Sequence, residues 1–394
     1  MTCVIKKETL SSMLVMIWFF ILMVPDGLKV LIGSNVSYFN YSALIIFFGY
    51  AFLNITTKKK LSAMTIVLII LSVWMIITTY VNKPDAFTIV VFNSVRVIAI
   101  CLLFEYYQRN INILLKGCSN FFYLMVFINF ITVIVTYPNG IYTRTDGRAG
   151  YFMGFRNAFI LYFLPALLFA LLEFSKKKGY KKFYLIYVLC IIPIILEKST
   201  TTLIALIIMF FVFLLIQFRD RAKSTTKIKR FPLITTLLIY LVLNIIILSS
   251  SFIANIPFVK YIIENIMGKT LNFTGRTIIW QTAFKMIANK PWMGYGIGNN
   301  VLYFNDYWYG HNEIVEYMLE GGLIALAIFA LLWILIIYKL KKNNNNIINK
   351  SMYIILISVL TFFLTEASTL QHFIIIYLIG FNLEDYLKKS RICL

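Results

Sequence analysis

The sequence predicts an all-α protein embedded in a membrane. Three observations predict it: apolar runs of spanning length, a shortage of charge, and basic residues that collect on one side of those runs. The chain of 394 residues is 60% hydrophobic and 13% charged, with a mean hydropathy of +0.83. A soluble domain is about 45–50% apolar and about 25% charged. A water-soluble fold would have too little polar surface to cover itself, so the chain reads as one polytopic membrane domain over residues 1–394.

Crossing roughly 30 Å of hydrocarbon takes about 20 apolar residues in a helix. Runs of that length must be helical, because lipid offers no partner to an open backbone. Apolar runs near 10–25, 36–53, 61–80, 87–104, 119–137, 151–173, 183–197, 202–218, 233–255, 311–338, 351–367 and 370–386 give about twelve spans. The first follows Lys6 and Lys7, lacks a small-residue cleavage site, and is expected to be a retained span. Alternate connections, beginning with the N-terminus, carry 25 of the 37 Lys and Arg residues, and the opposite set carries 11. The positive-inside rule then puts both termini in the cytoplasm. The net charge of +21 is dealt out in short clusters that set topology, which argues against nucleic acid as a partner. Cys3, Cys101, Cys118, Cys190 and Cys393 fall outside the outer loops and show no paired spacing, so neither disulfides nor a zinc site is expected.

Two outer connections are long, residues 138–150 and residues 256–310. Connections beyond about 12–15 residues usually serve a function or lack structure. The longer one carries Trp280, Trp292 and Trp308, and an amphipathic run, RTIIWQTAFKMIAN, that ends before Pro291. That run is expected to lie on the membrane surface or to cap a cavity. Gly294, Gly296 and Gly298 follow it and read as a tight turn.

The polar residues that could do chemistry gather at this outer face. His311 stands where the long loop returns to the membrane, and a histidine is a base near neutral pH. Asn312 beside it could orient a substrate hydroxyl, whereas His372 has no such company and reads as structural. Arg144, Arg148 and Arg156 cluster ahead of the sixth span, and Arg276 opens the amphipathic run. Arginines placed against the topology rule tend to be there for a partner. Guanidinium forks suit phosphate oxygens, while the plain alternative is pairing with Asp146, Asp306 or anionic lipid. Apart from Asp26, no acidic motif is evident in an outer loop that would hold a divalent metal. Arg96 lies in mid-span with no assigned role.

The order of these pieces resembles the O-antigen polymerase and O-antigen ligase superfamily of bacterial membranes. Four stretches carry the resemblance: Arg148, Gly150 and Asn157 at the head of a middle span; the span start EKSTTTLIAL; Gly275, Arg276 and Trp280 followed by P-x-x-G-x-G; and His311–Asn312 with glycines ten residues on. Ala325 and Ser199–Thr200 depart from the ligase pattern.

The resemblance implies a GT-C-like, metal-independent glycosyltransferase in the bacterial inner membrane, active at its periplasmic side. Its donor would be an oligosaccharide on undecaprenyl pyrophosphate, among membrane lipids, with a chain-length regulator and a flippase as possible partners and no cofactor. Arg276 and Arg148 would hold the pyrophosphate, His311 would take the acceptor proton, and Arg144, Arg156, Asn157 and Asn312 would bind substrate. A polymerase of surface polysaccharide is the expected activity. A ligase to lipid A core is the alternative, and a flippase of lipid-linked oligosaccharide the competing class, although the halves lack a repeat and polar residues at the midplane.

Overall fold

The computed structural model describes residues 2–144, 147–174, 179–221, 233–253, 276–298, 309–342, 346–368 and 370–390. Each of the apolar runs is helical, in the order α1 (Thr2–Leu22), α2 (Asp26–Ile32), α3 (Val36–Thr56), α4 (Ala63–Asn82), α5 (Phe87–Tyr106), α6 (Ile111–Thr136), α7 (Phe159–Phe174), α8 (Gly179–Leu196), α9 (Thr200–Arg221) and α10 (Leu233–Ile253). Then follow α11 (Arg276–Asn289), α12 (Glu313–Lys342), α13 (Asn346–Phe363) and α14 (Leu370–Ser390). Among the described residues, seven helical segments are long and apolar enough by themselves to cross a bilayer, with shorter apolar helices beside them. The fold is therefore an all-α membrane architecture. Asp146, Gly275, Asp306, Trp308 and the loop stretches 254–275 and 299–308 lie outside the described residues.

The burial pattern has the sign expected for lipid. Ile45, Phe48, Phe52 and Ile55 of α3 are exposed along one face, a patch that a soluble monomer would not leave uncovered. In contrast, α7 is hydrophobic all round and almost wholly buried from Phe159 to Leu172, which marks a helix surrounded by others. It packs on α6, α8, α13 and α14, while α4 packs on α5 and α12. The sixth span was expected from residue 151, but its helix starts at Phe159. Residues 151–158 instead form a tight Tyr151–Gly154 bridge and a short 3-10 turn. In the connection before it, Tyr142–Thr143 (β1) pairs antiparallel with Ala149–Gly150 (β2).

The glycines after α11 do more than turn the chain. Helix α12 breaks at Gly322, whose φ of 67° lies in the left-handed region. A break inside a span frees backbone groups that lipid cannot satisfy. Here Tyr295 N donates to Leu319 O (2.7 Å), Gly296 N to Glu320 O (2.8 Å), and Leu323 N to Pro291 O (2.8 Å). Trp74 Nε1 of α4 donates to Gly321 O at 2.8 Å. The Pro291–Gly298 segment is thus a backbone patch over the kink, and it needs glycine to come that close. A Cβ on Gly322 would lie 2.2 Å from the carbonyl of Trp292. Gly322→Ala is expected to lower thermal stability in detergent by about 1–3 kcal/mol or more, from left-handed strain plus the clash, read as a drop in melting temperature.

Candidate active site

Helix α11 sets the site from its first two turns. Arg276 and Trp280 are four residues apart and share a face. Trp280 is fully buried, and its Nε1 donates to Gly310 O at 2.9 Å. Arg276 Nη2 meets Glu366 Oε1 at 2.5 Å. The rest of the apolar face of α11, Ile279, Ala283, Met286 and Ile287, packs with Val315 and Leu319 of α12. The amphipathic run therefore caps the helices rather than floating beside them, and it docks on α10 and α12.

Trp280 fixes the loop that carries His311. Gly310 N donates to Glu316 Oε2 at 2.6 Å, so both polar backbone atoms of Gly310 are occupied. His311 then adopts φ +49°, a conformation unusual for any residue but glycine and costly by roughly 1–3 kcal/mol. Asn312, expected to orient a substrate hydroxyl, has another use in the structure. It is fully buried, and its Oδ1 caps α12 by accepting from Ile314 N and Val315 N at 3.1 and 3.2 Å. Its Nδ2 donates to Asn244 Oδ1 and Leu364 O at 2.7 and 3.0 Å. Both ends of the Asn312 amide are thus bonded to protein groups.

These pieces converge on Glu366, in the connection between α13 and α14. Its side chain is 1% exposed, against 16% for Arg276 and 24% for His311. Besides Arg276, its Oε1 accepts from Asn157 Nδ2 at 2.8 Å, and its Oε2 accepts from the Tyr309 hydroxyl at 2.5 Å. His311 Nδ1 stands 3.5 Å from the same Oε2, a long contact without hydrogen-bond geometry, and its ring packs on Tyr309 with centroids 4.0 Å apart. Burial alone would raise the Glu366 pKa. His311, Arg276 and Tyr309 outweigh it and hold the carboxyl below the usual carboxylate range. The Tyr309 hydroxyl is pushed well above its ordinary value by burial and by Glu366, and so remains a donor.

The remaining arginines gather on one ring. Arg144, Arg148 and Arg156 lie 4.5, 5.6 and 5.4 Å from the centroid of Phe155. The hairpin brings the first two together through Arg144 N donating to Arg148 O at 2.9 Å. Arg156 Nη1 donates to Glu197 O at 3.0 Å, and Asn157 accepts from the buried Ser199 hydroxyl at 2.7 Å. A cavity of 580 Å³ joins Phe155 and Arg144 to Asn157, Tyr309 and Glu366, a volume typical of ligand sites. His372, read as structural, also lines it. Arg96 has its partner in Asn40, with Nη2 2.6 Å from Oδ1.

Sequence reasoning singled out Arg276 and His311, and the structure brings both to one carboxylate. It missed that carboxylate. The signal was a lone glutamate near the end of the apolar run 351–367, where an unpaired acid is costly and points to a partner. Phe155 and Tyr309 carried no signal beyond being aromatic.

A family model described as O-antigen ligase matches residues 183–330, a stretch that runs from α8 through Arg276 and His311 to the kinked α12. Over this stretch, which is less than half of the chain, the sequence is similar to that family. The members of that family are glycosyltransferase-like enzymes. The matched stretch leaves out Arg144, Arg148, Arg156 and Glu366. No curated protein matches the chain.

Glu366 gives a pH test. Because its folded pKa is depressed, its stabilising contribution is complete above the unfolded value of about 4.3 and is lost as pH falls through the folded value. Glu366→Gln is expected to cost about 3–5 kcal/mol at pH 7, as for one half of a buried ion pair. The gap between variant and wild-type melting temperatures should close below about pH 4.

Proposed function

We propose that the protein is a surface-polysaccharide polymerase of the bacterial inner membrane. In this reading it transfers a growing glycan from undecaprenyl pyrophosphate to a lipid-linked repeat unit at the periplasmic face. The observation that carries the reading is the meeting of Arg276 and His311 on Glu366. The carboxylate lies on the Nδ1 side of the imidazole, which leaves Nε2 for the acceptor, in the manner of a carboxylate that orients a histidine base. The acceptor hydroxyl gives its proton to Nε2, its oxygen bonds to the anomeric carbon, and the bond from that carbon to the pyrophosphate oxygen breaks with the electron pair leaving on the pyrophosphate.

The leaving pyrophosphate needs positive charge at fixed positions. Arg276 spends one Nη on Glu366 and keeps its other donors. Arg144, Arg148 and Arg156 surround Phe155 and bring three guanidinium groups to one ring. Arg148, with Arg144 and Arg156, supplies the second cationic wall, and Asn157 steers Glu366. Of the long loop, residues 256–310, the described helix α11 carries Arg276 to the site. A chain-length regulator and a flippase are the partners such an enzyme would work beside.

The description of the matching family favours a second reading, an O-antigen ligase that passes the glycan to lipid A core. Both readings use the same leaving-group site. A deletion strain complemented with His311→Ala or Arg276→Ala separates them when surface polysaccharide is resolved by length. Loss of long chains with a single repeat left on the core supports the polymerase. Long chains trapped on the carrier lipid support the ligase. Normal long surface polysaccharide with either variant would falsify the mechanism. The expected loss is at least ~100-fold, the range for removing a base or a charge-stabilising donor.

A further inference from the structure

The start of α9, EKSTTTLIAL, has so far no part in the chemistry, yet one of its residues reaches the central carboxylate through Asn157. An ionised carboxylate only accepts hydrogen bonds, so the amide end 2.8 Å from Glu366 Oε1 is Nδ2. The Oδ1 end then faces Ser199 Oγ at 2.7 Å, and a carbonyl oxygen also only accepts, so Ser199 is the donor. Ser199 has one hydroxyl hydrogen, and Asn157 takes it. The 3.0 Å contact between Ser199 Oγ and Thr202 Oγ1 joins two hydroxyls, either of which can donate. With the Ser199 hydrogen committed, the donor there is Thr202. The chain Thr202–Ser199–Asn157–Glu366 therefore runs one way, each group holding the next in the direction it needs. Without a donor on its oxygen, the amide would be free to turn over and set Oδ1 against the carboxylate.

The backbone explains how the hydroxyl comes to be aimed there. Helix α8 ends with Ser199 N donating to Ile194 O and Lys198 N to Ile195 O, both at 3.2 Å, the pattern of a Schellman cap. Lys198 takes the left-handed conformation that such a cap needs, with φ +52°. Ser199 O accepts from Leu203 N at 2.9 Å and opens α9. Both polar backbone atoms of Ser199 are thus held by helices, and its buried hydroxyl meets Asn157. The same turn serves the neighbouring arginine, since Glu197 O accepts from Arg156 Nη1. Thr365 Oγ1 donates to Thr201 Oγ1 at 3.2 Å, which ties α9 to the residue just before Glu366.

We propose that Ser199 is a positioning residue of the site: its hydroxyl fixes the Asn157 amide, and the amide holds the Glu366 carboxylate between Arg276 and His311. The consequence for glycosyl transfer rests on the function proposed above, and the coupling of Ser199 to Glu366 does not.

The test is a double-variant cycle on the full chain purified in detergent. Melting temperature is read for Ser199→Ala, Glu366→Gln and the pair, at pH 7 and below about pH 4. Ser199→Ala keeps the backbone bonds of residue 199 and is expected to lower the melting temperature by roughly 2–4 °C. That loss should shrink to less than half in the Glu366→Gln background, where the amide meets no charge. It should shrink likewise in acid, because the Glu366 carboxyl has a depressed folded pKa and its contribution is lost as pH falls through that value. Ser199→Thr retains the hydroxyl and should recover most of the loss. Thr202→Val, which keeps the shape of the side chain and removes its hydroxyl, should give a smaller loss of the same pattern, and it carries the test if Ser199→Ala does not fold. An equal loss in both backgrounds and at both pH values marks a hydroxyl of local structural use and overturns the proposal, as does no loss at all. In the deletion strain, Ser199→Ala is expected to reduce long surface polysaccharide and Ser199→Thr to restore it. Coupling in the melting cycle beside normal polysaccharide upholds the positioning and sinks the transferase reading, so the two failures are told apart.

Discussion

The site depends on one buried carboxylate. Glu366 is almost wholly shielded from solvent, and a lone charge there would be intolerable. It survives because Arg276, Tyr309, Asn157 and His311 all face it. Those partners come from α11, from the loop before α12, and from the turn before α7. One ionised group therefore ties three distant parts of the chain to the connection between α13 and α14. Removing it would leave Arg276 without its anion and His311 without the group beside its Nδ1.

A second constraint works on the backbone. A left-handed histidine and a broken span are both unfavourable, and each is held by polar groups that reach it from elsewhere. Trp280 and Glu316 bind the two polar atoms of Gly310, and Asn312 is locked by Asn244 and Leu364. At Gly322 the exposed carbonyls and amide are met by residues 291–296 and by Trp74. Strain near His311 and relief near Gly322 lie on the same helix. His311 stands just before α12, Glu313, Glu316 and Glu320 lie along one side of the helix, and the break at Gly322 follows them.

Two cavities adjoin Tyr309 and Ser368. Asp26, Arg144 and Glu366 line one, Glu313, Glu316 and Glu320 line the other, and Tyr309, Ala367 and Ser368 line both.

Much of this was legible without coordinates. Apolar runs of spanning length give helices because lipid leaves the backbone no other option, and the Lys and Arg bias points to an orientation. The position of Arg276 and His311 at the ends of an over-long outer loop marked them as candidates. Tertiary structure alone decided the rest. Glu366 is some ninety residues from Arg276 and gives no periodic signal, so its role exists only through contact. Asn312 stood out because it adjoins His311, and its burial and two long-range hydrogen bonds appear only in the tertiary structure. The glycines at 294–298 looked like a turn, and their use as a patch over a broken helix becomes visible only once α12 is beside them. Local pattern follows from local sterics and solvent, whereas partnership between buried charges depends on which helices meet.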